Sequence, residues 1–299
     1  MTDGVVLYKS DVRRSFERAA GRYDGASGLA REVADRMLER LDLLRAVPQR
    51  VLDLGSGTGY SARKLRRRYS ACTVVELDLA IGMLLRSRQH APWWRRQLST
   101  LTGANACHVC ADMENLPFTD GSFDMVWSNL ALNWISSPMQ VFTETRRVLR
   151  PGGVWMFSTL GPDTLKELRD AYAAVDQHMR VNRFVDMHDL GDLLVGSRFA
   201  APVMDMECIT LTYIDVRALL CELKASGSYN LNSGKNMALS GKKAFAAGIE
   251  AYERLRRDDR LPATFEIVYG QAWKPEQERI RADGRAVVQF LDTPPRNVL

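Results

Sequence analysis

Long apolar runs are missing from this chain. Across its 299 residues no uninterrupted apolar stretch approaches the roughly 20 residues that a bilayer-spanning helix requires. The N-terminus, Met1-Thr-Asp-Gly-Val-Val-Leu-Tyr8, lacks the charged leader and apolar core of a secretory signal. Cysteine is scarce and odd in number, at five, which argues against a disulfide framework. Cys107-x-x-Cys110, with His108 between, has no second cysteine pair at zinc spacing. These two cysteines are expected inside a buried strand, as small apolar side chains. Internal repeats, low-complexity tracts and a recognisable RNA-binding module are also missing. The expectation is a soluble, cytoplasmic protein, and the 46% apolar and 26% charged composition is that of an ordinary globular chain. Neither sign of charge dominates. Lys and Arg total 41 against 36 acids, net +5. The basic excess gathers at Arg63-Lys64, Arg66-Arg67-Arg68, Arg86, Arg88, Arg95 and Arg96. It reads either as solvated helix faces or as a docking surface for an acidic partner.

What is present is a glycine loop. Val51-Leu-Asp-Leu-Gly-Ser-Gly-Thr-Gly59 reads as a strand, a tight turn and the start of a helix near Tyr60. Glycines let the backbone turn sharply and approach a ligand, and the helix N-terminus offers free N–H groups. A lone glycine pattern also fits a dinucleotide fold. Two details favour S-adenosylmethionine. Asp53 precedes the first glycine, where a carboxylate suits an α-ammonium group and not a pyrophosphate. Thr73-Val-Val-Glu-Leu-Asp78 then reads as a second strand, ending about twenty residues on in an acid that can serve both ribose hydroxyls. A third acid, Asp112, closes the strand-like Ala106–Ala111 segment and is followed by Met113, where an adenine amino group is expected. The cofactor set is therefore Asp53, Gly55, Gly57, Gly59, Asp78, Leu79, Met83, Asp112, Met113 and Asn129.

Strands and helices alternate from Val51 to about Ser158, which predicts βαβ units and a parallel sheet with helices on both faces. Ser122–Asn129 and Val154–Ser158 are the fourth and fifth strands. Residues 201–213 and 262–273 are the sixth and seventh, expected as an antiparallel pair. The fold class is α/β, a Rossmann-like sheet of seven strands. Residues 1–47 form an N-terminal helical cap, broken at Asp24-Gly25, with Tyr23 as a lid residue over the cofactor. Residues 48–274 form the main domain. Insertions at about 160–186 (a helix over Asp163 to Met179) and 214–260 (helices over Val216–Lys224 and Lys242–Arg256) leave the carboxyl edge of the sheet, where lids exclude water. Residues 275–299 are a tail.

Several strings together resemble the malonyl-acyl-carrier-protein O-methyltransferase family of biotin synthesis, within the class I S-adenosylmethionine-dependent methyltransferases. They are Asp11-Val-Arg-Arg-Ser-Phe-Glu-Arg-Ala-Ala-Gly-Arg-Tyr-Asp24, Ser128-Asn-Leu-Ala-Leu-Asn-Trp134, Phe157–Arg169, Val181–Gly191 and Leu261–Gly270. The match covers the chain to about Lys274, and the lid strings are its most specific part. One departure is Ala30, where the family often has glutamine.

The resemblance implies methyl transfer to the free carboxylate of a malonyl thioester, carried on acyl carrier protein or coenzyme A. A carboxylate is already ionised at neutral pH. The site then needs no strong base, only desolvation and in-line aim, with reacting atoms about 3–3.5 Å apart. His90, His108, His178 and His188 are accordingly read as structural. The substrate carboxylate needs a receptor, because a buried unpaired charge is costly, and arginine suits it best. Arg147 and Arg183 are the first candidates and Arg13, Arg14 and Arg22 of the cap are alternatives. Tyr23, Asn129 and Trp134 are expected in the wall. Lys235, Lys242 and Lys243, with Arg13 and Arg14, are expected near the opening. Open alternatives are a protein resembling the complex I assembly arginine hydroxylase, another small-molecule methyltransferase, and a non-catalytic cofactor-binding protein.

Overall fold

The computed structural model describes residues 8–44, 47–90, 107–173, 184–227 and 242–276. Its centre is a seven-stranded sheet in the order β3-β2-β1-β4-β5-β7-β6. The strands are β1 (Arg50–Leu54), β2 (Thr73–Asp78), β3 (Cys107–Cys110), β4 (Phe123–Asn129), β5 (Leu149–Leu160), β6 (Ala200–Tyr213) and β7 (Leu261–Trp273). β1 pairs in parallel with β2 and β4, β2 with β3, and β4 with β5. β7 runs antiparallel between β5 and β6.

Buried parallel strands must be apolar on both faces, and this sequence supplies that. Val51, Leu52 and Leu54 of β1 and Met125, Val126 and Trp127 of β4 are fully buried. Helices cover both faces. α3 (Gly28–Arg40) and α4 (Tyr60–Arg68) pack around Met37, Leu65 and Trp127 on one face. α6 (Pro138–Val148) and α8 (Met187–Gly196) pack around Phe142, Trp155 and Leu194 on the other. α5 (Ile81–His90) follows β2.

The cap is α1 (Lys9–Ala19), the single turn α2 (Tyr23–Ala26) and α3. Asp24-Gly25 does not break it, as the sequence suggests, but lies inside α2. The breaks fall on either side, at residues 20–22 and at Ser27. Asp24 holds that turn in place, because its carboxylate accepts from Thr58 Oγ1 at 2.6 Å and meets His90 Nε2 at 2.8 Å.

α7 (Lys166–Ala173) follows the carboxyl end of β5, while α9 (Val216–Ala225) and α10 (Lys242–Glu253) connect β6 to β7. All three therefore stand over the carboxyl edge. Asp186 and Asp215 cap α8 and α9, accepting from His188 N and Ala218 N at 2.8 and 2.7 Å. The fifth strand is longer than Val154–Ser158. It begins at Leu149 because Leu149 pairs with Phe123 of β4, and Gly152 and Gly153 bond to Lys274. Cys107 and Cys110 are exposed instead of buried, because β3 is an edge strand. Among the described residues no helix is long and apolar enough to cross a membrane.

Candidate functional site

A cavity opens over the carboxyl ends of β1, β2, β3 and β4. Gly55, Gly57, Asp78, Leu79, Met83, Asp112, Met113 and Asn129 all line it, and Tyr23 closes it from the cap. The structure thus brings together most of the set read from the sequence. The loop geometry explains the glycines. Gly55, Gly57 and Gly59 all have positive φ, at 75°, 54° and 75°, where a side chain is strained. A Cβ on Gly55 would overlap Ala131 Cβ, and one on Gly59 would overlap Ser87 Oγ. Gly57 has space above it, bounded by the Tyr23 ring at 3.7 Å. Gly57 therefore faces the cavity, whereas Gly59 is required by packing against α5 and does not line it.

Asp78 is aimed by the main chain. Gly57 N–H and Ala80 N–H donate to its two oxygens at 2.9 and 2.8 Å. Enclosure beneath the cap pushes its carboxyl up to about 6, against those two bonds. The Tyr23 phenol is pushed up to about 12, by burial first and then by Asp78 and Asp24. At the far end Asp112 accepts from Glu114 N at 2.9 Å and pairs with Lys9 Nζ at 2.6 Å. Lys9 also pairs with Glu114 at 2.6 Å, and Glu114 accepts from Ser136 N and Ser137 N. Glu17 of α1 accepts from Gly82 N at 2.9 Å. The cap is therefore tethered along the cavity at Lys9, Glu17 and Asp24.

Asp53 lines a second, polar chamber behind the loop. Tyr23, Ser27, Ala30, Asn129 and Gly55 line both this chamber and the main cavity, and Arg31, Ser56, Thr58 and Arg63 are in its wall. Asp53 Oδ2 and Ser56 Oγ are buried without a hydrogen-bond partner among the described residues. Such orphans are rare unless a ligand or water completes them.

The other half of the cavity lies between α1, α9 and the strand ends. Phe16, Trp134, Leu160, Leu165, Phe184, Leu223 and Phe265 give it an apolar wall. Trp134 lines this half, where Phe16 meets it edge-to-face at 5.4 Å. Asn129 is also a positioning residue. Its Nδ2 donates to Ala30 O at 2.8 Å and its Oδ1 accepts from Ser158 Oγ at 2.8 Å. It ties the cap to β4 and β5.

The arginine candidates separate sharply. Arg147 does not reach the cavity. It ends α6, at the opposite edge of the sheet, and its five N–H donors are all engaged: Glu144 by two bonds at 2.8 Å, Asp120 at 2.9 Å, and the carbonyls of Phe118 and Leu116 at 2.6 and 2.9 Å. Glu144, then Asp120, hold the guanidinium firmly charged. Arg13, Arg14 and Arg22 are exposed on the cap and do not line the cavity either. Arg183 lies outside the described residues, as do His178, Lys235 and the side chains of Lys242 and Lys243. Among the described residues the cation lining the main cavity is Lys9, already paired with two acids.

Sequence reasoning missed Lys9, Arg31 and Glu114. Lys9 and Arg31 sit at helical spacing from the apolar stripes of the cap, but charged residues on amphipathic helices ordinarily face solvent. Glu114 stands two residues after Asp112, a spacing that could have drawn attention to it.

A glycine loop after the first strand, acids closing the second and third, and an antiparallel seventh strand define a class I S-adenosylmethionine-dependent methyltransferase. A methyltransferase domain family matches residues 52–157. The chain is 51% identical over 95% of its length to the malonyl-[acyl-carrier protein] O-methyltransferase of Gallionella capsiferriformans, covering 97% of that protein. It is 53% identical over 97% of its length to the enzyme of the same name from Laribacter hongkongensis, covering 98% of it. In fold it is similar to the Haemonchus contortus phosphoethanolamine N-methyltransferase 2 in complex with S-adenosyl-L-methionine. There the TM-score is 0.54 at 20% identity, covering 92% of this chain and 61% of that one. The chain belongs to the malonyl-[acyl-carrier protein] O-methyltransferase family.

Proposed function

We propose that this chain methylates the free carboxylate of a malonyl thioester delivered on acyl carrier protein, using S-adenosyl-L-methionine. The observation that carries the reading is one continuous cavity. It runs from Asp112 and Asp78, past Gly55, Gly57 and Tyr23, into an apolar half roofed by the cap and α9.

The residues present fit the cofactor. Asp78 offers a carboxylate already oriented by two N–H groups, which suits a vicinal diol. Asp112 suits an exocyclic amino group, and Leu79, Met83 and Met113 flank a flat base. The polar chamber holds both a carboxyl with one unpartnered oxygen, Asp53, and a guanidinium, Arg31, a combination that suits a zwitterionic amino-acid end. When bound, the cofactor supplies an activated methyl group on a positively charged sulfur.

The chain's own residues bind, aim and exclude water. The malonyl carboxylate is ionised at neutral pH, so the carbon–oxygen bond forms with the carboxylate's own electron pair and no base is required. Tyr23, held above Gly57, keeps the two halves of the cavity in register. Arg183 is our candidate receptor for the carboxylate, as the chain neighbour of Phe184, which lines the apolar half. Acetyl thioester offers no nucleophile and is not a substrate.

The test is incubation of the protein with methyl-labelled cofactor and malonyl carrier protein, read by mass spectrometry of the acyl group. A labelled methyl ester on malonyl but not acetyl carrier protein is expected. Label absent from malonyl carrier protein would overturn the reading. Arg183→Ala is expected to cut kcat/KM by about a hundredfold, equivalent to about 2.7 kcal/mol. An unchanged value would leave the hydroxyl and amide donors of the wall as the receptor.

A further inference from the structure

Behind the glycine loop two buried carboxyl groups stand side by side. Asp53 of β1 and Glu76 of β2 are register partners in adjacent parallel strands, so both side chains leave the same face of the sheet. They are 1% and 0% exposed. Glu76 is well satisfied. Arg66 Nη2 donates to it at 2.7 Å, Ser87 Oγ donates to its other oxygen, and His108 Nε2 lies 3.6 Å away.

Asp53 is not satisfied. The Ala62 N–H supports its carboxyl, but Oδ2 has no partner among the described residues and the group borders the polar chamber. The charged and titratable groups around it come from every neighbouring element. β2 contributes Glu76 and Asp78, α4 contributes Arg63 and Arg66, the cap contributes Tyr23, Asp24 and Arg31, and α5 contributes His90. β4 places Trp127 beside it, without charge. Among the described residues none of these cations hydrogen-bonds Asp53, although the Arg66 charge acts on it and Arg66 Nε is buried without a partner. Arg66 serves Glu76 and Val74 O, Arg63 donates to Thr58 O, and Arg31 donates to Ser27 O and Asp24 O. Burial first, and then the charge of Glu76, hold the Asp53 carboxyl well above the ordinary carboxylate range. A buried carboxylate without its own counter-ion is costly, and such a group keeps its proton.

We propose that Asp53 is a neutral acid in the cofactor-free protein and releases its proton when a cationic amino group enters the polar chamber, so that docking of the cofactor's amino-acid end is coupled to proton release. This rests on the cofactor reading above. The step balances: the carboxyl O–H bond breaks heterolytically, the proton passes to solvent, and the ammonium N–H donates to the carboxylate that remains. The coupling is set by the amino-acid end alone. The demethylated product carries the same end and must release a proton too, whereas a nucleoside without it must not.

The experiment is calorimetric titration of the protein with S-adenosylhomocysteine at about pH 6.5, where a free α-amino group, ordinarily titrating at about 7.7–8.0, is already protonated. Repeating it in buffers of different ionisation enthalpy counts the protons exchanged. 5′-Methylthioadenosine, which keeps the nucleoside and lacks the amino-acid end, is titrated in parallel. S-adenosylhomocysteine is expected to release measurably more protons than methylthioadenosine does. Asp53→Asn is expected to abolish that difference. Equal release by the two ligands in the wild type would place the proton at the ribose end, on Asp78, and overturn the proposal. So would a difference that survives in Asp53→Asn. Should that variant fail to fold, the two wild-type titrations decide alone. Failure of both ligands to bind would remove the cofactor reading itself, and the coupling with it.

Discussion

Three strand ends that lie side by side in the sheet, β1, β2 and β3, supply the glycine-loop end of the cavity. The acyl end draws instead on α1, α9, the segment before α8, and the ends of β5 and β7. At the first end the polar groups are aimed by the main chain, as Asp78 is by Gly57 N–H and Ala80 N–H. At the second the polar groups already have partners within the wall. Asn133 Oδ1 accepts from Thr159 Oγ1 and Leu160 N, and Thr164 Oγ1 donates to Glu266 O. The contrast teaches where each kind of specificity resides. The scaffold end is organised before any ligand arrives. The apolar end is walled by the helices α1 and α9 as well as by strand ends, so its shape depends on how those helices pack.

The strongest way to break the scaffold end is Gly55→Ala. The backbone there has φ 75° and the new Cβ would overlap Ala131. Left-handed strain and overpacking together are expected to cost about 2–5 kcal/mol. Calorimetry should show cofactor affinity falling with Tm, and full retention of both would mean the loop is not held as described. Arg147→Ala sharpens the comparison from the opposite edge of the sheet. Its side chain holds the turns at Leu116, Phe118 and Asp120 onto α6. Its loss is expected to lower stability by about 2–3 kcal/mol, the scale of bonds to a charged group. The kcat/KM per folded molecule should stay within about twofold. A collapse of kcat/KM at unchanged Tm would return Arg147 to the substrate site.

The unequal legibility of the two ends in the sequence has a physical origin. The glycine loop, Asp78 and Asp112 are read from local order, because a strand end fixes where its last side chain stands. The seven strands were legible for the same reason, apart from the start of β5 and the exposure of β3, which depend on sheet neighbours. Arg147 could not be excluded locally. Arginine in the last turn of a helix is ordinary, and only the fold shows that this turn lies at the far edge and meets Glu144 and Asp120. Lys9 was invisible for the converse reason: a lysine eight residues into a chain gains meaning only when the fold brings Asp112 and Glu114 to it across more than a hundred residues.

Asp78 tests the scaffold end more finely. Asp78→Ala is expected to weaken cofactor binding by about 1.5–3 kcal/mol, read by titration calorimetry. The wild type should also show a pH dependence. Its carboxyl, pushed up to about 6 by enclosure, keeps its proton longer in the folded than in the unfolded chain. The contribution of Asp78 to the stability of the cofactor-free protein therefore falls as pH rises from about 4 to 6. On the proposal that the ionised form accepts the ribose hydroxyls, cofactor affinity is expected to rise over the same interval. Affinity that is flat between pH 5 and 7, in a titration with methylthioadenosine, would remove Asp78 from the ribose site.

The smallest effect is expected on the outer face of the cap. Arg14 and Arg18 stand one turn apart on α1, both exposed, on the side opposite Val12, Phe16 and Ala19. Phe16 lines the cavity from below, and Ser15 Oγ donates to Gly227 O just beyond α9. The two arginines therefore stand on the outer surface of the cap, and we propose them as a docking patch for an acidic carrier. Arg66, Arg67 and Arg68 end α4 at the other edge of the sheet, where Arg66 is paired with Glu76 and Arg68 with Asp42. Exposed charges steer encounter more than they hold a complex together. Reversing Arg14 and Arg18 to Glu is expected to slow methylation of malonyl carrier protein several-fold. The malonyl-coenzyme A rate and the cofactor affinity should change little. The wild-type rate on the carrier substrate should fall as salt rises, since screening acts over about 8–10 Å near physiological ionic strength. Equal losses on both substrates would mean that the arginines shape the cap itself and do not mark where the carrier lands.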